Sequence, residues 1–123
     1  MLKKILLSLC TVCLPLFCEA APVSLDDSNF SSTISKGVVL VDFYADWCGP
    51  CRAIAPVIDQ LSIDFQGKAT IAKVNIDKAK GTTSSFNISS IPIIILFKDG
   101  KELKRLVGPS DKQTLKQLIS GSL

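Results

Sequence analysis

Trp47-Cys48-Gly49-Pro50-Cys51 stands between an apolar run, Val38 to Tyr44, and a stretch of helical periodicity from Pro50 to about Phe65. That order predicts a strand running into the start of a helix, with both cysteines at the junction. Backbone N–H groups left unpaired at a helix start, together with the helix dipole, stabilise an anion there. A thiol at that address ionises more readily than a free cysteine, which marks Cys48 as the nucleophile of the pair.

A C-x-x-C pair can hold a structural zinc ion, close a structural disulfide or work as a redox dithiol. Zinc needs four ligands, usually Cys and His. The chain has no His, and its other cysteines, Cys10, Cys13 and Cys18, lie within the first eighteen residues, so no metal site is expected. A structural disulfide between residues this close removes little entropy from the unfolded chain compared with one that closes a long loop. A redox dithiol is what C-x-x-C signifies in a β-α-β pattern, and this reading carries the most weight.

The run Val41-Asp42-Phe43-Tyr44-Ala45-Asp46-Trp47-Cys48-Gly49-Pro50-Cys51 resembles the active-site region of the thioredoxin family. Further matches follow at thioredoxin-like spacing: Pro56, Lys73 in Ala72-Lys73-Val74-Asn75-Ile76-Asp77, Ile91-Pro92, Phe97-Lys98-Asp99-Gly100 and Val107-Gly108. The likeness runs from about Val23 to Leu123 with no insertion evident between the motifs. It implies an α/β thioredoxin fold, a central mixed five-stranded sheet flanked by four helices. It also implies that Cys48 attacks a substrate disulfide, that Cys51 resolves the mixed disulfide, and that Asp42 exchanges a proton with Cys51. Trp47, Gly49, Pro50 and Lys73 would support the site, and Trp47, Ile91, Pro92 and Gly108 would line the substrate surface. By the same resemblance Ile91-Pro92 is cis, against the low frequency of cis X-Pro bonds in general, and its backbone binds substrate in strand-like fashion. Ile93 stands where thioredoxins often have threonine, which predicts a more apolar substrate surface. The reversible Cys48–Cys51 disulfide would serve without any bound cofactor.

Ahead of this domain the chain opens on Met1-Leu2-Lys3-Lys4, continues through the apolar stretch Ile5 to Phe17, and reaches Cys18-Glu19-Ala20-Ala21-Pro22. A basic start, an apolar core and small residues at Cys18 and Ala20 read as a secretory signal over residues 1–20, with the domain at 21–123. A permanent anchor would need about 20 apolar residues; this run is shorter and contains Pro15. Acylation at Cys18 is the lipoprotein alternative, although Phe17 is bulky for that pattern. Cleavage after Ala20 would leave Cys48 and Cys51 as the only cysteines, and twelve Lys and Arg against ten Asp and Glu. So weak a positive balance predicts no nucleic-acid partner.

Within the domain, Val23 begins a short edge strand and Asp26 to Ser35 reads as a loose helix that ends near Gly37. Val38 to Tyr44 is apolar enough for a central strand covered on both faces, and Asp42 interrupts it. A carboxylate there is costly to ionise and its pKa should rise, unless the residue lies at a strand end that reaches water. Ile54, Val57, Ile58, Leu61 and Phe65 form the apolar face of the following helix, which Pro56 should kink. Ala69 to Asn75 is the next strand, and its Lys73 is either a partner for Asp42 or a solvated lysine. Asp77 to Phe86 reads as an irregular helical crossover. Ile91 to Phe97 and Glu102 to Val107 should pair across an Asp99-Gly100 turn. Gly108 is read as a point of close backbone approach, and Ser110 or Asp111 as the cap of a last helix carrying Leu115, Leu118 and Ile119.

The function these features predict is an exported thiol-disulfide oxidoreductase, periplasmic or otherwise extracytoplasmic, acting as a monomer on protein disulfides. An exported enzyme of this kind would draw electrons from a membrane-borne donor. Gly49-Pro50 between the cysteines resembles reducing thioredoxins more than strong disulfide oxidases. The competing class is a non-catalytic binding module or chaperone that holds a partner on an apolar surface around Trp47, Ile91 and Ile93.

Overall fold

The computed structural model describes residues 20–123. The expected signal segment and Cys18 therefore lie outside the described residues, apart from Ala20. The elements follow in the order β1 (Val23–Leu25), α1 (Phe30–Ile34), β2 (Val38–Tyr44), α2 (Gly49–Asp64), β3 (Thr70–Asn75), α3 (Lys80–Ser85), β4 (Ile93–Lys98), β5 (Lys101–Val107) and α4 (Lys112–Ser120). The sheet order is β1-β3-β2-β4-β5. Strands β1, β3 and β2 run parallel, whereas β4 is antiparallel to both β2 and β5. This is the mixed five-stranded, four-helix architecture that the motifs implied.

Strand period 2 sorts the residues of β2 between two cores. Val39, Val41 and Phe43 pack with Phe30, Phe97, Ile93 and Ile95 on the α1 and α3 face. Val38 and Leu40 pack with Ile54, Ile58 and Leu61 of α2 and with Leu115 and Ile119 of α4 on the other. Each fully buried aliphatic or aromatic side chain contributes about 1.5–3 kcal/mol relative to exposure. Asp42 follows Val38 and Leu40 in the alternation, so the register of the strand aims it at the α2 face. It is 1% exposed.

Several local expectations are corrected. The first helix is only Phe30–Ile34, because side chains compete with the backbone just before it. Ser28 N–H and Oγ donate to Asp26, and Asp26 N–H donates to Asn29 Oδ1, which makes a turn of the segment that reads as helix. Asp27 crosses the molecule instead, accepting from Gly81 N–H, Thr82 N–H and Thr82 Oγ1 at the start of α3. Its carboxyl is held below the usual range by these bonds. Strand β4 begins at Ile93, two residues later than the apolar run does, and Ile93 is 3% exposed. Its side chain belongs to the core and adds nothing to an apolar surface.

The remaining punctuation follows residue chemistry. Asp99 and Gly100 both have positive φ, 49° and 84°, as a two-residue hairpin of primed type requires. Asp99 also accepts from Gly37 N–H at 2.8 Å, joining the hairpin to the start of β2. Asp111 rather than Ser110 caps α4, accepting from Thr114 N–H at 2.8 Å. Leu115 and Ile119 are fully buried under that helix, with Leu118 half-buried beside them.

Candidate active site

Strand β2 delivers the chain to a turn in which Cys48 N–H donates to Ala45 O at 3.2 Å. Cys48 is then the N-cap of α2, in extended conformation at φ −88° and ψ 111°. Pro50 falls in the first helical turn, where a missing N–H costs no intrahelical bond. The first turn brings Cys51 N–H to 3.2 Å from Cys48 Sγ, to which it donates. The two cysteines form a disulfide, with Cα atoms 5.3 Å apart. The helix start thus supplies a main-chain hydrogen-bond donor to Cys48 Sγ, at the end of the helix where the dipole favours negative charge.

Exposure does not separate the two sulfurs as their positions on the helix imply. Cys48 is 5% exposed and Cys51 3%, both enclosed with Ala45 by Tyr44, Ile76 and Ile91. What differs is their neighbours. Cys48 Sγ lies 3.9 Å from the carbonyl oxygen of Ile91, immediately before the cis bond to Pro92. Cys51 instead lines a cavity of about 200 Å³ on the other side, shared with Asp42, Tyr44, Asp46, Arg52 and Lys73.

Around the Cys48 side, Trp47 is 66% exposed and its Nε1 donates to Asp77 Oδ2 at 2.9 Å, so the indole is held although it faces solvent. Ile91 is half-buried and Pro92 buried. Gly108 N–H donates to Pro92 O at 2.8 Å. Gly108 has φ 92° and nothing within 4 Å of where a Cβ would sit. The glycine serves its backbone conformation, not a close approach. Of the residues expected to line the substrate surface, Trp47 is the chain neighbour of Cys48, Ile91 approaches that sulfur through its carbonyl, and Gly108 is tied to Pro92 beside it.

Asp42 Oδ1 is buried and accepts no hydrogen bond from a described group. Burial raises its pKa from 3.8 to about 7, with the Lys73 charge opposing the rise. Lys73 is the register partner of Asp42 across β2 and β3, yet its Nζ rests 4.6 Å from the centre of the Tyr44 ring. The structure places Asp42, Cys51 and Lys73 around one cavity, with Lys73 turned to the Tyr44 ring, and adds Tyr44 and Asp77 to the residues of interest. The Trp47–Asp77 contact spans thirty positions and has no local sequence signal. Tyr44 had one, since strand period places it on the same face as Asp42.

The thioredoxin family model matches residues 21–121 of this chain. The chain belongs to the thioredoxin family. Thioredoxin from Staphylococcus saprophyticus is 46% identical over 103 residues, covering 84% of this chain and 99% of that protein. Thioredoxin from Staphylococcus haemolyticus is 45% identical over the same shares. Among solved structures, a mutant thioredoxin from Halobacterium salinarum NRC-1 superimposes with a TM-score of 0.77 at 34% identity, covering 85% of this chain and 92% of that one. As a thioredoxin-type protein with its Cys48–Cys51 pair in place, the chain is a dithiol oxidoreductase. Thioredoxins act on protein disulfides and need no cofactor beyond that pair.

Proposed function

We propose that this thioredoxin-family protein is exported and reduces or isomerises protein disulfides outside the cytoplasm, with Cys48 as nucleophile, Cys51 as resolving thiol and Asp42 as the proton-exchanging base. The observation that carries the assignment of roles is the split environment of the dithiol. Cys48 Sγ accepts the Cys51 N–H beside the Ile91 carbonyl, while Cys51 shares its cavity with Asp42.

The Cys48 thiolate attacks one sulfur of a substrate disulfide, forming a mixed disulfide and expelling a substrate thiolate that takes a proton from solvent. Asp42 accepts the Cys51 proton, and the Cys51 thiolate attacks Cys48 Sγ. The Cys48–Cys51 disulfide forms and the second substrate sulfur leaves as a thiolate, which takes up a proton from protonated Asp42 or from solvent, so two electrons have passed to the substrate. The exposed Trp47, the Ile91–Pro92 backbone and Gly108 form the surface against which an extended substrate segment would lie. Gly49 and Pro50 hold the spacing between the sulfurs. Re-reduction outside the cytoplasm requires a donor of electrons at the membrane, since cytosolic reductants do not reach that compartment. The domain is proposed to work as a monomer.

Insulin reduction tests the chemistry. The wild type should reduce insulin with dithiothreitol as the final donor, and the Cys48→Ser, Cys51→Ser double variant should not. Insulin reduction no faster with the wild type than with the double variant, together with unchanged partner affinity in that variant, would point to a binding module or chaperone. Export rests on the basic start, the apolar stretch Ile5 to Phe17 and the Cys18-Glu19-Ala20 site. Intact mass from an extracytoplasmic fraction should correspond to a chain beginning at Ala21. A mass retaining residues 1–20 would refute cleavage, and a diacylglycerol adduct on Cys18 would establish the lipoprotein form instead.

A further inference from the structure

Asp42, Lys73 and Tyr44 are set on one face by the pairing of β2 and β3. Asp42 and Tyr44 are two residues apart on β2, hence on the same side of the sheet. Lys73 is directly opposite Asp42 on β3, with Tyr44 diagonal to it. The lysine stem can therefore serve either neighbour. Its Nζ lies over the Tyr44 ring at 4.6 Å, and no ion pair with Asp42 forms within 4.0 Å among the described residues. Both Tyr44 and Lys73 are half-buried, where the attraction of an ammonium for an aromatic face exceeds its value in open water.

We infer that Tyr44 is a positioning residue for the dithiol chemistry, whose ring holds the Lys73 ammonium and so keeps that charge from pairing with the Asp42 carboxylate. The other groups facing Asp42 leave this competition undisturbed. From the turn after β2 comes Asp46, an acid that offers Asp42 no cation, and from α2 come Cys51 and Arg52, whose Nη1 donates to Asp46 O at 3.0 Å. From β4 the register partner of Asp42 is Ile94, which is apolar. Lys73 is thus the cation that decides how strongly the carboxylate is neutralised, and Tyr44 decides where Lys73 goes. Full pairing would lock Asp42 as a carboxylate too weakly basic to take the Cys51 proton near neutral pH. The catalytic meaning rests on the proton-exchange role proposed for Asp42; the electrostatic arrangement does not.

The test follows the Asp42 side-chain carboxyl carbon by NMR through a pH titration of the oxidised full chain. Tyr44→Leu should release Lys73 to Asp42 and lower the Asp42 midpoint by about 1–2 pH units, the usual effect of an opposite charge at close range. Tyr44→Phe, which keeps the ring, should titrate with the wild type. Tyr44→Leu combined with Lys73→Gln should titrate with Lys73→Gln alone. An unchanged midpoint in Tyr44→Leu overturns the inference. So does a lowered midpoint that persists without Lys73, because the ring would then be acting by shielding Asp42 from water. The pH profile of Cys51 alkylation in the reduced variants separates the two claims. If the carboxyl midpoint moves and that profile does not, the positioning of Lys73 stands and the proton-exchange role of Asp42 falls.

Discussion

Cys51→Ser is expected to stop turnover and to accumulate covalent mixed disulfides between Cys48 and substrate proteins, released by dithiothreitol. The first attack needs only Cys48, whose sulfur accepts the Cys51 backbone N–H at 3.2 Å. Since that donor is main chain, serine at 51 leaves it in place. Resolution needs a thiol one helical turn in, and a serine hydroxyl at that point is too poor a nucleophile towards sulfur. Cys48→Ser should trap few or no substrates, because the remaining thiol lacks the helix-start donor and faces the Asp42 cavity. The two residues are 5% and 3% exposed, so accessibility alone does not impose the order. The expected order rests instead on the helix-start N–H beside the Cys48 sulfur, a donor that favours a thiolate at that position over one at Cys51. Iodoacetamide labelling of the reduced wild type near neutral pH, read by peptide mass, should modify Cys48 well before Cys51. Equal trapping by the single variants, with equal labelling, would overturn the assignment.

Asp42→Asn is expected to raise stability by roughly 4 kcal/mol above pH 7 and to slow resolution of the mixed disulfide. The folded-state pKa of about 7 lies above the model value of 3.8. Between those values the folded chain binds a proton that the unfolded chain does not, so wild-type stability falls as pH rises from about 4 to about 7, then levels off. The pKa difference converts to roughly 4 kcal/mol at 1.36 kcal/mol per unit. Asparagine removes the titration, and the advantage of the variant should therefore grow across this window and shrink below it. Urea unfolding of the oxidised proteins at pH 4 and pH 8 measures the difference. A variant that is less stable at pH 8, and resolves as fast as wild type from pH 6 to 8, would leave Asp42 with no part in proton exchange.

The strand and helix flanking the dithiol were readable because each carries one strong pattern. Val38 to Tyr44 is apolar at every position but Asp42, and Ile54, Ile58, Leu61 and Phe65 repeat at helical spacing, with burial to match. Asp42 stood out for the same reason, as the one carboxylate in the apolar strand. The segment before α1 misled because Asp26 and Asn29 fit a helix start and a turn equally well, and hydrogen bonds to their own neighbours select the turn. Ile93 looked like surface because a run of isoleucines hides which face each residue takes. Its pairing with Phe43 and Val107 buries it. Tyr44 was missed because its partner Lys73 depends on the register between β2 and β3, which sequence pattern does not fix.

At its outer edge, β5 is a strand with unpaired backbone groups, the kind of surface on which further strands can grow. Lys101, Lys104 and Arg105 occupy that strand beside the exposed Leu103 and Val107. An antiparallel pairing of two such edges centred on Lys104 would set two ammonium groups directly opposite each other, which is unfavourable. Arg105 is already engaged by Glu102 and the Phe86 carbonyl. It is therefore the exposed Lys101 and Lys104 that discourage the edge from adding its own copy, guarding a crowded protein against joining into a continuous aggregated sheet.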